Sequence, residues 1–169
     1  WNEYLATSQN AEERGRFLLW LQAVNEVWTN EYRYNPEFEG KLSHIRLVCC
    51  NTAIGNDIHV DFARIVEQHD AILSYHNYTH VQDGVIDPLD WQYHSGRWTE
   101  LDKIYTANGI YVNWLATESG PYRGVYEGWK HPSVYNGDFN AYLDCMKYQM
   151  DHVTAWNWQN NNRFLGMQL

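Results

Sequence analysis

The chain alternates between two hydrophobic periods, and that alternation restricts it to few folds. Over residues 11–28, Phe17, Leu18, Leu21, Val24 and Trp28 recur at three- and four-residue spacings. This is the pattern of an amphipathic helix, and Asn10 stands where an N-cap belongs. A polar loop with Asn35-Pro36 and Gly40 follows, and residues 44–50 then read as a strand rich in apolar and β-branched side chains. Asn56 or Asp57 can cap a second helix to about Gln68, and residues 71–76 form a second short strand. After a long loop, Thr99 is placed to cap a third helix, with Leu101, Ile104 and Tyr105 on its buried side and Gly109 ending it at C′. Residues 110–117 make the clearest strand, and another long loop follows it. A fourth helix, about 138–151, carries the stripe Phe139, Tyr142, Leu143, Met146 and Met150, and residues 153–158 read as a last strand.

A helix followed by three strand–helix pairs and a strand predicts an α/β fold with a mainly parallel sheet. Long loops after strands and shorter ones after helices suit a barrel whose working loops follow the strands. No repeat, low-complexity tract or linker divides residues 1–169, which read as a single unit. Yet 169 residues are too few for a whole (β/α)₈ barrel, which takes roughly 250.

Charge and composition narrow the function. A net charge of −9 argues against a nucleic-acid backbone as partner. No run approaches the ~20 apolar residues of a membrane span. Trp1 to Tyr4 lack the basic and apolar regions of a signal peptide. Cys49, Cys50 and Cys145 are an odd count with two adjacent members, a poor disulfide framework, and read as small buried residues; no C-x-x-C pair suggests a metal. His76 and His80 are four apart but in a predicted loop, so no metal site or cofactor is expected. Nine Trp, thirteen Tyr and five Phe stand out. Flat rings with polar edges match either a sugar or an aromatic core.

Glu118 follows the apolar run 110–117, at the strand end where barrel enzymes place catalysis. Asn2-Glu3, just before the first helix, can be the tail of an earlier strand. Two strand-end glutamates make the carboxylate pair that glycosidic cleavage needs. In these motifs the chain resembles the C-terminal half of the retaining (β/α)₈ glycoside hydrolases, a cellulase-like clan with an Asn-Glu acid/base after strand four and a Glu nucleophile after strand seven. Residues 44–50 and 71–76 then correspond to strands five and six, His76-Asn77-Tyr78 to the His-x-Tyr of strand six, and Trp156 or Trp158 to the tryptophan that floors the sugar site. Tyr4 stands where the clan commonly has Pro.

The resemblance implies half of a (β/α)₈ barrel: strands five to eight and the end of strand four. It implies a retaining hydrolase of β-glycosidic bonds in a poly- or oligosaccharide. Glu118 would be the nucleophile and Glu3 the acid/base, with Asn2, His76, Tyr78, Trp156 and Trp158 binding substrate. Asn160-Asn161-Asn162 can line the same site or form a polar loop. Two other functions stay open: a non-catalytic carbohydrate-binding half-barrel, and an unrelated α/β interaction protein. Four strands cannot close a barrel. The chain is therefore expected to be cut from a longer protein, to pair with a complementary half-barrel, or to self-associate.

Overall fold

The computed structural model describes residues 10–52, 57–79, 81–82, 85–121, 130, 135 and 137–167. Its main sheet has four strands in the order β1 (Val48–Thr52), β2 (Ile72–Thr79), β5 (Asn113–Pro121) and β6 (Phe164–Met167). Every neighbouring pair is parallel. The two-residue strands β3 (Val81–Gln82) and β4 (Val85–Ile86) make a small antiparallel hairpin after β2. The helices are α1 (Ala11–Val27), α2 (Val60–Gln68), α3 (Pro88–Tyr93), α4 (Arg97–Ala107) and α5 (Phe139–Gln159). The expected α/β alternation and parallel sheet are therefore present.

One apolar cluster joins four of the helices to the sheet. It takes Phe17 and Leu21 from α1, Phe62, Ala63 and Val66 from α2, Trp98, Leu101 and Tyr105 from α4, and Val153 from α5. From the strands come Leu73, Tyr75, Trp114, Ala116 and Phe164. Side chains alternate along a strand, so Ser74 and His76, which interleave with Leu73 and Tyr75, project to the opposite face. The cluster is strongly aromatic. Trp98 packs 4.5 Å from Phe164 and 4.7 Å from Trp156, and Tyr105 stacks on Trp114 at 5.9 Å. Full burial of each such ring contributes roughly 1.5–3 kcal/mol. Much of the aromatic excess is thus core.

Local chemistry explains most helix ends. The Asn10 carboxamide accepts the backbone N–H groups of Glu12 and Glu13, and both acids complement the helix dipole. α1 ends at Val27, where the backbone widens into a π-helical turn, Trp28–Arg33. Arg33 is buried and donates to the Asp70 carboxylate at 2.7 Å, tying this turn to the loop before β2. Gly109 adopts φ +71° after the α4 cap, as a C′ glycine should.

Several boundaries differ from those the sequence suggests. The cap of α2 is His59, whose Nδ1 accepts from Asp61 N at 3.3 Å, rather than Asp57; Asn56 lies outside the described residues. α4 starts two residues before Thr99, after Gly96, and the Thr99 hydroxyl bonds back to the Gly96 carbonyl. Cys49 and Cys50 join the same cluster instead of facing opposite ways, because Cys50 has φ +56° and breaks the pleat.

The largest difference is at the C-terminus. Residues 153–158 are helix, not strand, and α5 runs 21 residues to Gln159. Their β-branched and aromatic composition favours a strand locally, but the buried stripe Cys145, Met146 and Gln149 carries the helical period on to Val153, and Trp156 packs against the same core. The true last strand is the shorter Phe164–Met167. Asn161 and Asn162 both take φ +56°, a conformation that Asn accepts more readily than most residues. Asn157 then exchanges two hydrogen bonds with the Phe164 backbone, at 2.8 and 2.9 Å. The three-asparagine run is therefore a turn that launches β6.

Candidate active site

The site candidates lie on β2 and β5, which are adjacent and parallel. Their register pairs Tyr75 with Ala116, then His76 with Glu118. β5 advances two residues where β2 advances one, so Thr117 is an inserted residue. An insertion of this kind kinks a strand and redirects the side chain beyond it. Without it, Glu118 would share the face of Trp114 and Ala116 and point its charge into the aromatic core, at a prohibitive desolvation cost. With it, Glu118 joins His76 and Tyr78 on the other face.

The contacts follow from this register. Tyr78 donates its hydroxyl to Glu118 Oε2 at 2.7 Å. His76 Nδ1 lies 3.6 Å from the same oxygen, an ion-pair distance when the imidazole is protonated but too long for a direct hydrogen bond. The rings of His76 and Tyr78 meet edge to face at 6.3 Å. The His76 side chain is 8% exposed and that of Glu118 is 50% exposed. A half-open carboxylate is thus held by Tyr78 through one oxygen, with the His76 ring beside the same oxygen. Glu118 itself sits inside β5 rather than in the loop after it.

Beneath this trio lies a polar group that the sequence reading passed over. Asn51 Oδ1 accepts from the hydroxyls of both Ser74 and Thr117, and those two hydroxyls are 2.9 Å apart. The group spans β1, β2 and β5. The available signal was polar residues within otherwise apolar strand runs, Ser74 in particular, which is fully buried.

Comparison with known proteins returned no match to any family model, curated protein or solved structure.

The other predicted site residues fall elsewhere. Trp156 is on α5, beside the start of β5 and β6. The Arg163 guanidinium lies 5.1 Å over its ring and also donates to the Val112 carbonyl, just ahead of β5. Trp158 is on the same helix and 85% exposed. Both tryptophans thus stand on a helix rather than at the end of a last strand, where the resemblance puts them. Asn2 and Glu3 lie outside the described residues, as does His80. Among the described residues, no group of three His, Cys, Asp or Glu is placed to hold a metal. No described helix is long and apolar enough to cross a membrane.

Two further features are structural. Asp102 and Arg163 form a two-point ion pair at 2.6 and 2.7 Å, and Asp102 also accepts the Trp114 indole N–H at 2.9 Å. They lock α4 to the start of β5 and β6. Cys49, Cys50 and Cys145 are all buried. Burial pushes the pKa of each upward.

Proposed function

We propose that the chain is the second half of a (β/α)₈ barrel and supplies the nucleophile of a retaining glycoside hydrolase acting on β-glycosidic bonds. The observation that carries this reading is the Tyr78–Glu118–His76 constellation on neighbouring parallel strands, on the face away from the helices. The architecture supports it. The four strands of the main sheet follow one another in chain order with no reversal, and four of the helices pack into one core on one face. Such a singly wound arc suits a barrel wall, whereas a doubly wound sheet reverses its order and carries helices on both faces.

In the reaction, Tyr78 and His76 both address Oε2, which leaves Oε1 of Glu118 to attack the anomeric carbon. The Tyr78 hydrogen bond stabilises the carboxylate and fixes its rotamer, and it weakens as charge moves onto the new ester bond. The aglycone oxygen leaves with a proton from Glu3. Water then takes its place, gives a proton to Glu3 and releases the sugar. Retention needs the Glu3 and Glu118 carboxyl groups about 5–5.5 Å apart. In this reading the edges of β1 and β6 are completed by strands one to four, from the same chain, a complementary half-barrel or a second copy.

The test separates chemistry from binding in the active assembly. Glu118→Gln should abolish hydrolysis by more than ~10³-fold, since the covalent route disappears, while sugar binding survives. Glu3→Gln should still form the glycosyl-enzyme from an activated aryl glycoside, because a good leaving group needs little protonation, and then turn over slowly. Equal loss of the glycosylation step in both variants refutes the assignment of roles. Full activity of Glu118→Gln refutes the hydrolase reading, and sugar binding without any hydrolysis by the wild type points to a binding module.

A further inference from the structure

We infer that Thr117, pinned by Asn51 and Ser74, is a positioning residue that aims Glu118 at Tyr78 and His76. This rests on Glu118 being the nucleophile. The register is the first observation: Thr117 is the residue that β5 inserts between the pairs Tyr75–Ala116 and His76–Glu118. In a regular strand Thr117 and Glu118 would face opposite sides. Here Thr117 meets Ser74, and Glu118 meets Tyr78 and His76, so both consecutive side chains serve one face.

The second observation is what holds that geometry. Asn51, on β1, gathers the hydroxyls of Ser74 on β2 and Thr117 on β5 onto one amide oxygen. An inserted residue has lost its regular place in the ladder and needs another anchor to keep one conformation. The Thr117 hydroxyl supplies it. Ser74 is fully buried, so water is poorly placed to substitute for a missing partner there. Asn51 and Ser74 act on Glu118 only through Thr117 and its backbone.

The test compares Thr117→Val, which keeps the shape and loses the hydroxyl, with Thr117→Ser, which keeps the hydroxyl. The first readout is the NMR shift of the Tyr78 ring carbon that bears the hydroxyl, with Glu118→Ala as the reference for a broken contact. Thr117→Val should move this signal toward the reference, and Thr117→Ser should leave it near wild type. In the active assembly, Thr117→Val should lower kcat for glycosylation by about 10- to 100-fold with KM within about twofold, the scale expected for an ångström-sized misplacement. Thr117→Ser should recover most of that loss. If Thr117→Val fails to fold, Ser74→Ala serves instead, with a smaller change of the same sign. A Tyr78 signal unchanged in Thr117→Val, or kcat lost equally in both Thr117 variants, overturns the inference. An active Glu118→Gln instead overturns the nucleophile assignment, and the Tyr78 signal still decides whether Thr117 sets the geometry.

Discussion

Replacing Asp102 by Asn should cost more stability than any other single-atom exchange among the described polar residues. The carboxylate is 4% exposed and faces a guanidinium that is 12% exposed. Both carboxylate oxygens are used: Oδ1 accepts from Arg163 Nη1 at 2.7 Å and from Trp114 Nε1 at 2.9 Å, and Oδ2 accepts from Arg163 Nη2 at 2.6 Å. Asn keeps one acceptor, so the Trp114 bond can survive. Arg163 keeps the Val112 carbonyl but loses Asp102 as its buried counter-charge. Breaking a buried pair from one side costs about 3–5 kcal/mol, because the remaining charge is stranded. For a domain of this size 1 kcal/mol lowers Tm by about 2–4 °C, so Tm should fall by roughly 6–20 °C. Urea unfolding at pH 7, followed by tryptophan fluorescence, gives the free energy directly. The paired replacement Asp102→Leu with Arg163→Met removes both charges and leaves chiefly the Trp114 N–H unsatisfied, a cost of about 1–3 kcal/mol. The double variant should therefore be more stable than Asp102→Asn alone. A loss within ~0.5 kcal/mol for Asp102→Asn would mean the pair behaves as a surface contact. A double variant less stable than the single would show that net attraction, rather than a stranded charge, dominates.

Three further outcomes test other parts of the structure. In the proposed hydrolase, Tyr78→Phe removes the 2.7 Å bond to Glu118 and should lower kcat by about 10- to 100-fold with little change in KM; unaltered kinetics would mean that Tyr78 does not support Glu118 in that role. Cys49, Cys50 and Tyr105 have raised pKa values, chiefly through burial, so the folded state keeps their protons longer than the unfolded chain does. Their contribution is complete below the unfolded values, about 8.5 for Cys and 10 for Tyr, and is lost as pH rises toward the folded ones. Stability measured by urea titration should fall above about pH 9, and a flat profile to pH 11 would contradict this. In Gly96→Ala the new Cβ would stand 2.2 Å from Trp91 Nε1, so the indole must move; a loss of about 1–3 kcal/mol is expected by thermal unfolding, and unchanged stability would show that Trp91 shifts freely.

The helix and strand periods are local properties, and they were sufficient to predict the parallel α/β sheet, the stripe of α1 with its Asn10 cap, and the stop at Gly109. Glu118 and His76-Asn77-Tyr78 stood out as polar residues at the ends of apolar runs. What local pattern could not decide is which of two competing periods wins. Residues 153–158 have strand-like composition, but they pack on Trp98 and the core as helix, which puts Trp156 and Trp158 on α5 rather than at a strand end. Nor does sequence contain the pairing register between strands 40 residues apart. The inserted Thr117 exists only when β2 and β5 are side by side, and it alone turns Glu118 from the aromatic core to the face of His76 and Tyr78. Glu118, His76 and Tyr78 were therefore legible in the chain, because their chemistry is intrinsic, whereas the Asn51–Ser74–Thr117 group was not, because it exists only across three strands. Nor was the alignment of the trio, because a register is a relation between segments and is selected by the burial of apolar side chains on one face and charge on the other.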